Sequence, residues 1–489
     1  MKREIEKWEG KGGFERYLQW LGEAHRHYEI SVQEVLHKNF TSIFNLLRPS
    51  FLVQLFALHP FESIYSRAAK YFWTERLRRV FTFGSMYMGM SPFDAPGTYS
   101  LLQYTELAEG IWYPVGGFHA VVAALVGICE RLGVQIRLKT PVSSVLTTPD
   151  GRKATGVQLS SGEQLNADLV IINADLVYAY NNLFPTSTSH SYAQSLQKRA
   201  GSCSSISFYW ALSKRIPELN IHNIFLADEY RESFDSIFDR QSIPREPSFY
   251  VNVPSRVDPT AAPEGKDSIV VLVPVGHLLN SATASHPEGE ANPSSGSGLK
   301  TEQDWPSIVS TTRQKILSTI ESRTGCAPLS PLILHEELNT PNSWESTFNL
   351  DKGSILGLSH SFFNVLAFRP KTKHPEIEGV FFVGASTHPG TGVPIVLAGA
   401  KITIEQVLGD RGVEVPWRGK GAVIRDQGVV QAKGTGEIDR VRRRGGLLSD
   451  AGIWVLAVVV LVGTLGYLNS GLVVAWDPAG TRGWGRGRV

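Results

Sequence analysis

The sequence predicts a mixed α/β protein, helical at first, then built from α+β elements, and closed by a C-terminal transmembrane helix. Three observations predict this. Between residues 134 and 175, short alternating runs are joined by Asp150-Gly151 and Ser161-Gly162, the pattern of a β-meander. "FFVGASTHPGTGVPIVLAGA", Phe381 to Ala400, reads as a buried strand, a glycine-punctuated turn and an apolar helix. "IWVLAVVVLVGTLGYLNSGLVVAW", Ile453 to Trp476, runs 24 residues without a charge, and about 20 such residues span a bilayer core. A chain of 489 residues has room for two or three domains.

The N-terminus, "MKREIEKWEGKGGFERYLQW", is charged and amphipathic and carries no apolar signal core. Met1 enters a helix already under way. Phe14, Tyr17, Leu18, Leu21 and Ala24 have the spacing of an amphipathic helix, whose "HRH" at His25 to His27 falls on a solvated face. From Phe40 to Met90 the pattern stays helical but turns rich in Phe, Leu, Tyr and Met. "RPSFLVQLFALHPF" is apolar on more than one face, which suits a bundle core, a greasy ligand tunnel or a membrane-dipping surface. Residues 1–110 therefore form a helical region.

"YPVGGFHAVVAALVGICERLG" is a loop with Gly116-Gly117 and then a helix that Gly133 can cap. "VQIRLKT", "PVSSVLTT", "KATGVQLS" and "ADLVIINAD" follow as strands, so 111–182 is one unit. Residues 183–368 form a second mixed region containing "SISFYWAL", "PSFYVNVP" and "SIVVLVPV", with a Ser/Gly/Pro/Glu-rich surface insertion at 281–301. Residues 369–408 carry the strand–turn–helix, 409–452 a linker, and 453–476 the apolar segment.

Cys129, Cys203 and Cys326 lie far apart without a CxxC pair, which argues against a disulfide framework or a zinc site and for a reducing compartment. From Arg411 onward there are 12 Lys/Arg against 6 Asp/Glu, so the tail carries +6 and the remainder −4. A basic tail suits nucleic acid or an anionic membrane, and the apolar segment inside it decides for the membrane. Trp454, Tyr467 and Trp476 suit the interfaces. Arg440, Arg442, Arg443 and Arg444 outweigh Arg482, Arg486 and Arg488 in density and put the main body on the cytosolic side. A buried core helix is the alternative, and Asn469-Ser470-Gly471 interrupts the apolar pattern.

In the strand–turn–helix, Gly384, Gly390 and Gly392 permit backbone shapes and close approaches closed to other residues. The helix N-terminus offers unpaired N–H groups and a positive dipole end. A phosphate, an electron-accepting flavin edge or an ordinary tight turn all fit the glycines.

The whole stretch is more specific. "FFVGASTHPGTGVPIVLAGAKIT" resembles the C-terminal flavin motif of the bacterial and fungal phytoene desaturases, FAD-dependent carotenoid enzymes of the amine-oxidase superfamily. "SRAAKYFWTERLRRVFTFGSMYMGMSPFDAPGTYSLL", "GIWYPVGGFHAVVAAL", "NADLVYAYNNLF", "FLADEYRESFDSIF", "APEGKDSIVVLVPVGHL" and "FRPKTKHPEIEGVFFVGASTHPGTG" follow that family in order, from about Tyr65 to Leu408. The hydrophobic C-terminal extension resembles the fungal branch. The resemblance implies a p-hydroxybenzoate-hydroxylase-like, FAD-binding Rossmann-like flavoprotein fold, with the isoprenoid held in a second, apolar domain. It places Gly384, Ala385, Thr387, His388, Gly390, Gly392, Val393 and Pro394 along the isoalloxazine and ribityl chain. Val142 would meet the adenine through its backbone, Asn173, Ala174 and Asp175 would close the central strand over the cofactor, and Pro114, Gly116 and Gly117 match a loop near substrate and flavin. Glu106 matches an acidic position of the family and either assists charge stabilisation or proton removal or is a solvated helical carboxylate. His388 is expected to bond backbone or cofactor rather than act as a base, and no metal is expected.

The implied partners are a polyene hydrocarbon (phytoene) and membrane lipid, not nucleic acid; homo-oligomerisation is left open. A carotenoid isomerase, another polyene oxidoreductase or a non-catalytic membrane-associated form are the competing functions.

One departure stands out. The family's opening strand, G-x-G-x-x-G loop and helix are absent from this sequence: "GKGGFER" and "GTGVPI" fail the spacing, and there is no Walker A pattern. The flavoprotein fold is therefore expected to be incomplete, with Met1 matching a point inside the family's chain and with sheet edges and apolar surface left open. Weak or no FAD binding is the expected result for this chain alone; a stoichiometric yellow holoprotein on purification would overturn it.

Overall fold

The structure, a computed structural model, describes residues 1–184, 187–279 and 303–418. The insertion expected at 281–301, the linker beyond Arg418 and the apolar segment Ile453 to Trp476 lie outside the described residues. Among the described residues no helix is long and apolar enough to cross a membrane.

The N-terminal region is helical. Helix Gly13–Ser31 buries Tyr17, Trp20, Ala24 and His27, positions three or four apart that form one face. That face packs against Ile64, Ala68, Phe72, Leu77 and Phe81. The pattern misplaced one residue. His27 is fully buried, its Nε2–H donating to the Ala57 carbonyl at 2.9 Å and its Nδ1 accepting from the Ser100 hydroxyl at 2.7 Å. Arg26 is exposed and His25 partly so, stacked on Tyr104 at 4.4 Å between ring centroids. In the greasy stretch that follows, Phe40 and Phe51 are buried together, while Phe44, Val53, Phe56 and Phe61 are 60–73% exposed. Those four form no core.

Strands β1 (Val142–Thr147), β2 (Ala154–Leu159) and β3 (Gln164–Asn166) form the expected antiparallel meander and lead into β4 (Val170–Ile172). Residues 134–140 do not form the strand their alternation suggests. Val134, Ile136 and Leu138 are exposed, and alternation alone does not hold a strand that has no neighbour to pair with.

Strands β5 (Ser204–Leu212), β6 (His222–Phe225), β7 (Phe249–Asn252), β8 (Asp267–Val275) and β9 (Ile333–Asn339) form an antiparallel sheet in the order β6-β7-β8-β5-β9. Period-two alternation gives it two unlike faces. Ile206, Phe208, Trp210, Phe249, Val251, Ile269, Val271 and Val273 point into one core with Ile316, Leu317 and Ile320 of helix Trp305–Thr324. Tyr209, Tyr250, Val270 and Leu272 line the other, more open face.

Strand β10 (Val380–Phe382) runs parallel to β4, pairing Val380 with Val170 and Phe382 with Ile172. All three β10 residues are buried, as a strand covered on both faces requires. Helix Val393–Asp410 returns over it, and the Thr403 hydroxyl donates to the Phe382 carbonyl at 3.3 Å. Gly133 follows helix Phe118–Arg131 at φ 78°, the left-handed stop its position predicts. That helix buries no residue at all. Phe118, Val121, Val122, Leu125 and Ile128 are 38–55% exposed, and Ile171 of β4 is 44% exposed.

Candidate functional site

The site grows out of the end of β10. The Val383 N–H donates to the Ile172 carbonyl at 3.0 Å, so the parallel pair is still closed when the chain enters the turn. Gly384 has φ 105°, and a Cβ there would lie 2.2 Å from Asn173 Oδ1. The turn and the end of β4 therefore touch because residue 384 has no side chain. Gly390 has φ 133°, and its Cβ would lie 2.6 Å from His360 Nε2. Both backbones lie where an L-residue is strained.

Asn173 and Asp175 are brought to the turn, as expected. Asp175 caps helix Leu176–Asn182 through the N–H groups of Val177 and Tyr178 and also bonds Ser386 in the turn. Burial pushes its carboxyl up to about 6 despite those donors. Ala174 and Val142 each pack, partly buried, against the core under β4 and β10. A small cleft of about 50 Å³ opens beside Asp175 and Ser386.

Two expected contact residues face the other way. Thr387 and His388 are each 1% exposed. The Thr387 N–H and hydroxyl close the turn onto the Gly384 carbonyl at 3.3 and 3.2 Å. His388 donates Nε2–H to the Lys38 carbonyl at 2.9 Å, and burial lowers its pKa to about 4. It is a neutral strut, bonded to backbone. Gly392, Val393 and Pro394 are exposed instead and open the N-terminus of helix Val393–Asp410.

Three residues that support the turn escaped notice in the sequence. Arg369 is 1% exposed and donates to the carbonyls of Thr387 (3.1 Å), Ala385 (2.6 Å) and Asn364 (3.0 Å). His360 Nε2 accepts the Thr391 N–H at 3.3 Å, and Tyr99 donates to the His360 carbonyl at 2.8 Å. Arg369 stands in "FRPKT", quoted above only as family texture.

A second feature lies on the open face of the five-stranded sheet. A small, solvent-open pocket there is lined by Phe83, Met86, Tyr87, Tyr250, Leu272 and Ile355 among others. Tyr250 accepts or donates a 2.6 Å bond with His222 Nδ1, and burial pushes its phenol up to about 12. The charge of Glu106 adds to the upward shifts at both Tyr87 and Tyr250. Glu106 is itself half-buried, and burial pushes it up to about 7. Its setting is drier than that of a fully solvated helical carboxylate. The loop of Pro114, Gly116 and Gly117 reaches the same domain, with the Gly116 N–H donating to Asp258 Oδ2 at 2.7 Å.

Glu23, His27 and His59 bring three ligand atoms within 4.8 Å of one another, but they are committed elsewhere. Glu23 is held by Arg67 and by the Tyr71 hydroxyl at 2.7 Å, and both nitrogens of His27 are bonded as described above. A guanidinium already fills the cation's role.

What the turn offers a flavin is an exposed helix N-terminus at Gly392, Val393 and Pro394 and, at Ser386 and Asp175, the edge of a cleft. Residues 10–289 match the family described as flavin containing amine oxidoreductase, which covers more than half of the chain. A solved oxidoreductase from Methanosarcina mazei shares the fold, with TM-score 0.50 and 14% identity over 72% of this chain and 71% of that one. Fold and site thus define a flavin-containing oxidoreductase.

The chain is also 59% identical over 472 residues to a phytoene desaturase of Cercospora nicotianae, covering 88% of this chain and 76% of that protein. It is 63% identical over 420 residues to the phytoene desaturase of Fusarium fujikuroi, covering 85% and 73%. The chain belongs to the phytoene desaturase family.

Proposed function

We propose that this protein carries out the FAD-dependent desaturation of phytoene towards lycopene-type carotenoids. The observation that carries the reading is the 59–63% identity to proteins named phytoene desaturase. When bound, FAD supplies the acceptor for a hydride from an allylic carbon, with the polyene spreading the charge. The chain's own residues do the rest. Backbone at Gly384, Ala385, Gly390, Gly392, Val393 and Pro394 would hold the isoalloxazine and ribityl chain. Thr387 and His388 would keep that backbone in shape from behind. Val142 would meet the adenine, and Asn173, Ala174 and Asp175 would close the end of β4 over the cofactor. The loop of Pro114, Gly116 and Gly117 would border the substrate.

A hydrocarbon offers no hydrogen bonds, so its recognition rests on apolar walls, and the side chains around Leu272 and Met86 would be part of one. Glu106 would take the proton that leaves the neighbouring carbon. The exposed Phe44, Val53, Phe56 and Phe61 would face lipid, and Ile453 to Trp476 would anchor the body on the cytosolic side of its membrane. The test is incubation with phytoene-loaded membranes and added FAD, followed by separation of the polyenes. New longer-wavelength species support desaturation, a cis/trans change alone indicates an isomerase, and no change overturns both and supports a non-catalytic membrane-associated form.

Glu106 gives a pH prediction. Its folded-state carboxyl is raised from 4.5 to about 7, so folding favours the protonated form. That contribution is complete below pH 4.5 and is lost as pH rises through 7. Glu106→Gln is expected to be more stable than the native protein at pH 8, by up to about 3 kcal/mol, and no more stable at pH 4. Thermal melts across that range check this, and a pH-independent difference would refute it. In turnover, the native rate should rise through pH 7 and the Gln variant should lose that limb.

A further inference from the structure

The turn has a cation built in behind it. Arg369 is buried to 1% exposure, yet among the described residues no carboxylate pairs with it. Its guanidinium is answered by backbone carbonyls alone: Ala385 and Thr387 on the turn, Asn364 and, at 3.5 Å, Ser359 on the segment before it. Burial lowers its pKa to about 10, which leaves it charged at neutral pH. A charge taken out of water without an opposite charge is costly, so its retention calls for something that uses it.

The geometry points to Arg369 as the positioning residue of the flavin turn, fixing its shape through a two-pronged hold and supplying a standing positive charge behind it. The shape argument is local. Residues 385 and 387 are gripped by one planar fork, and a trans peptide sends its N–H away from its C=O. Drawing the Ala385 carbonyl inward therefore turns the Ser386 N–H to the opposite side. Lysine cannot replace this grip, because an ammonium is a point donor without the rigid fork. The charge argument follows from position. The carbonyls screen the guanidinium only partly, and an electron-rich group on the turn is stabilised by it, more so in a dry site than in water. The proposal rests on reading the turn as the flavin site, and it predicts a preference for reduced over oxidised flavin.

The test uses Arg369→Met and Arg369→Lys in the full chain, with two readouts. The first needs no flavin: amide hydrogen exchange at residues 384–391. Both variants are expected to exchange there about tenfold faster, with core strands β5 and β8 unchanged. The second compares binding of oxidised and dithionite-reduced FAD by fluorescence and absorbance. Arg369→Met should lose about tenfold of the preference for reduced flavin, equivalent to about 30 mV in a two-electron couple, and Arg369→Lys should keep most of it. Unchanged exchange at the turn in both variants overturns the proposal, and so does faster exchange spread evenly over the whole protein. If Arg369→Met does not fold, the Lys variant carries the exchange arm. A native chain that binds neither form of FAD counts against the function proposed above, and the exchange arm still decides the role of Arg369.

Discussion

Gly390→Ala is expected to cost about 4 kcal/mol, combining a backbone conformation closed to L-residues with overlap against a side chain that cannot move. The backbone term comes from φ 133°. The overlap is with His360 Nε2 at 2.6 Å and Cδ2 at 3.1 Å, and His360 is only 2% exposed and bonded to Thr391. The contrast with Gly384→Ala decides whether the steric term matters. There the new methyl meets Asn173 Oδ1 at 2.2 Å, but Asn173 is exposed and its amide can rotate away. Gly384→Ala should therefore cost only the backbone term, about 1–2 kcal/mol. Urea unfolding of the two variants checks the order. Equal costs would show that the buried ring yields, and that the turn is softer than its contacts indicate.

The second large effect lies far from the turn. Glu23→Ala is expected to lose about 3–5 kcal/mol, because it leaves the Arg67 guanidinium buried without its main partner. Arg67 is 8% exposed and reaches Glu23 with two nitrogens; the remaining partner, Glu62, has a side chain 30% exposed at 3.2 Å. Burial raises the Glu23 carboxyl, but bonds from Arg67 and Tyr71 outweigh it and hold the group below its usual range. The pair's stabilisation is thus present at neutral pH and lost as pH falls through the carboxylate range. Replacing both partners, Glu23→Leu with Arg67→Met, should recover most of the loss, since two apolar groups leave no orphaned charge. Denaturation midpoints for the single and double variants check this. A Glu23→Ala cost below about 1 kcal/mol would mean that Glu62 and water suffice.

How far the sequence revealed this depends on the range of the interactions. The turn was legible because strand, glycines and helix are contiguous, and local order is what periodicity and turn chemistry report. Its supports were not. Arg369 and His360 act on backbone up to 31 residues away, and no side-chain pattern marks a carbonyl as a partner. His27 sits beside His25 in a motif that looks solvated, and only the positions of Ser100 and Ala57 make it interior. Glu106 owes its raised pKa to burial in the folded chain, near phenols from residues 87 and 250. The stretch at 134–140 failed in the opposite sense: its alternation was real, but a strand is a property of two chains side by side.

The Phe118–Arg131 helix carries a thermodynamic consequence. At 14 residues it is near the length at which a lone helix is marginal in water, and it buries nothing that would add tertiary support. Its opening is therefore expected to precede that of the sheet core, as an early transition ahead of the main melt. Any binder that covers this helix and no other part would raise the midpoint of the earliest transition and leave the last one where it was.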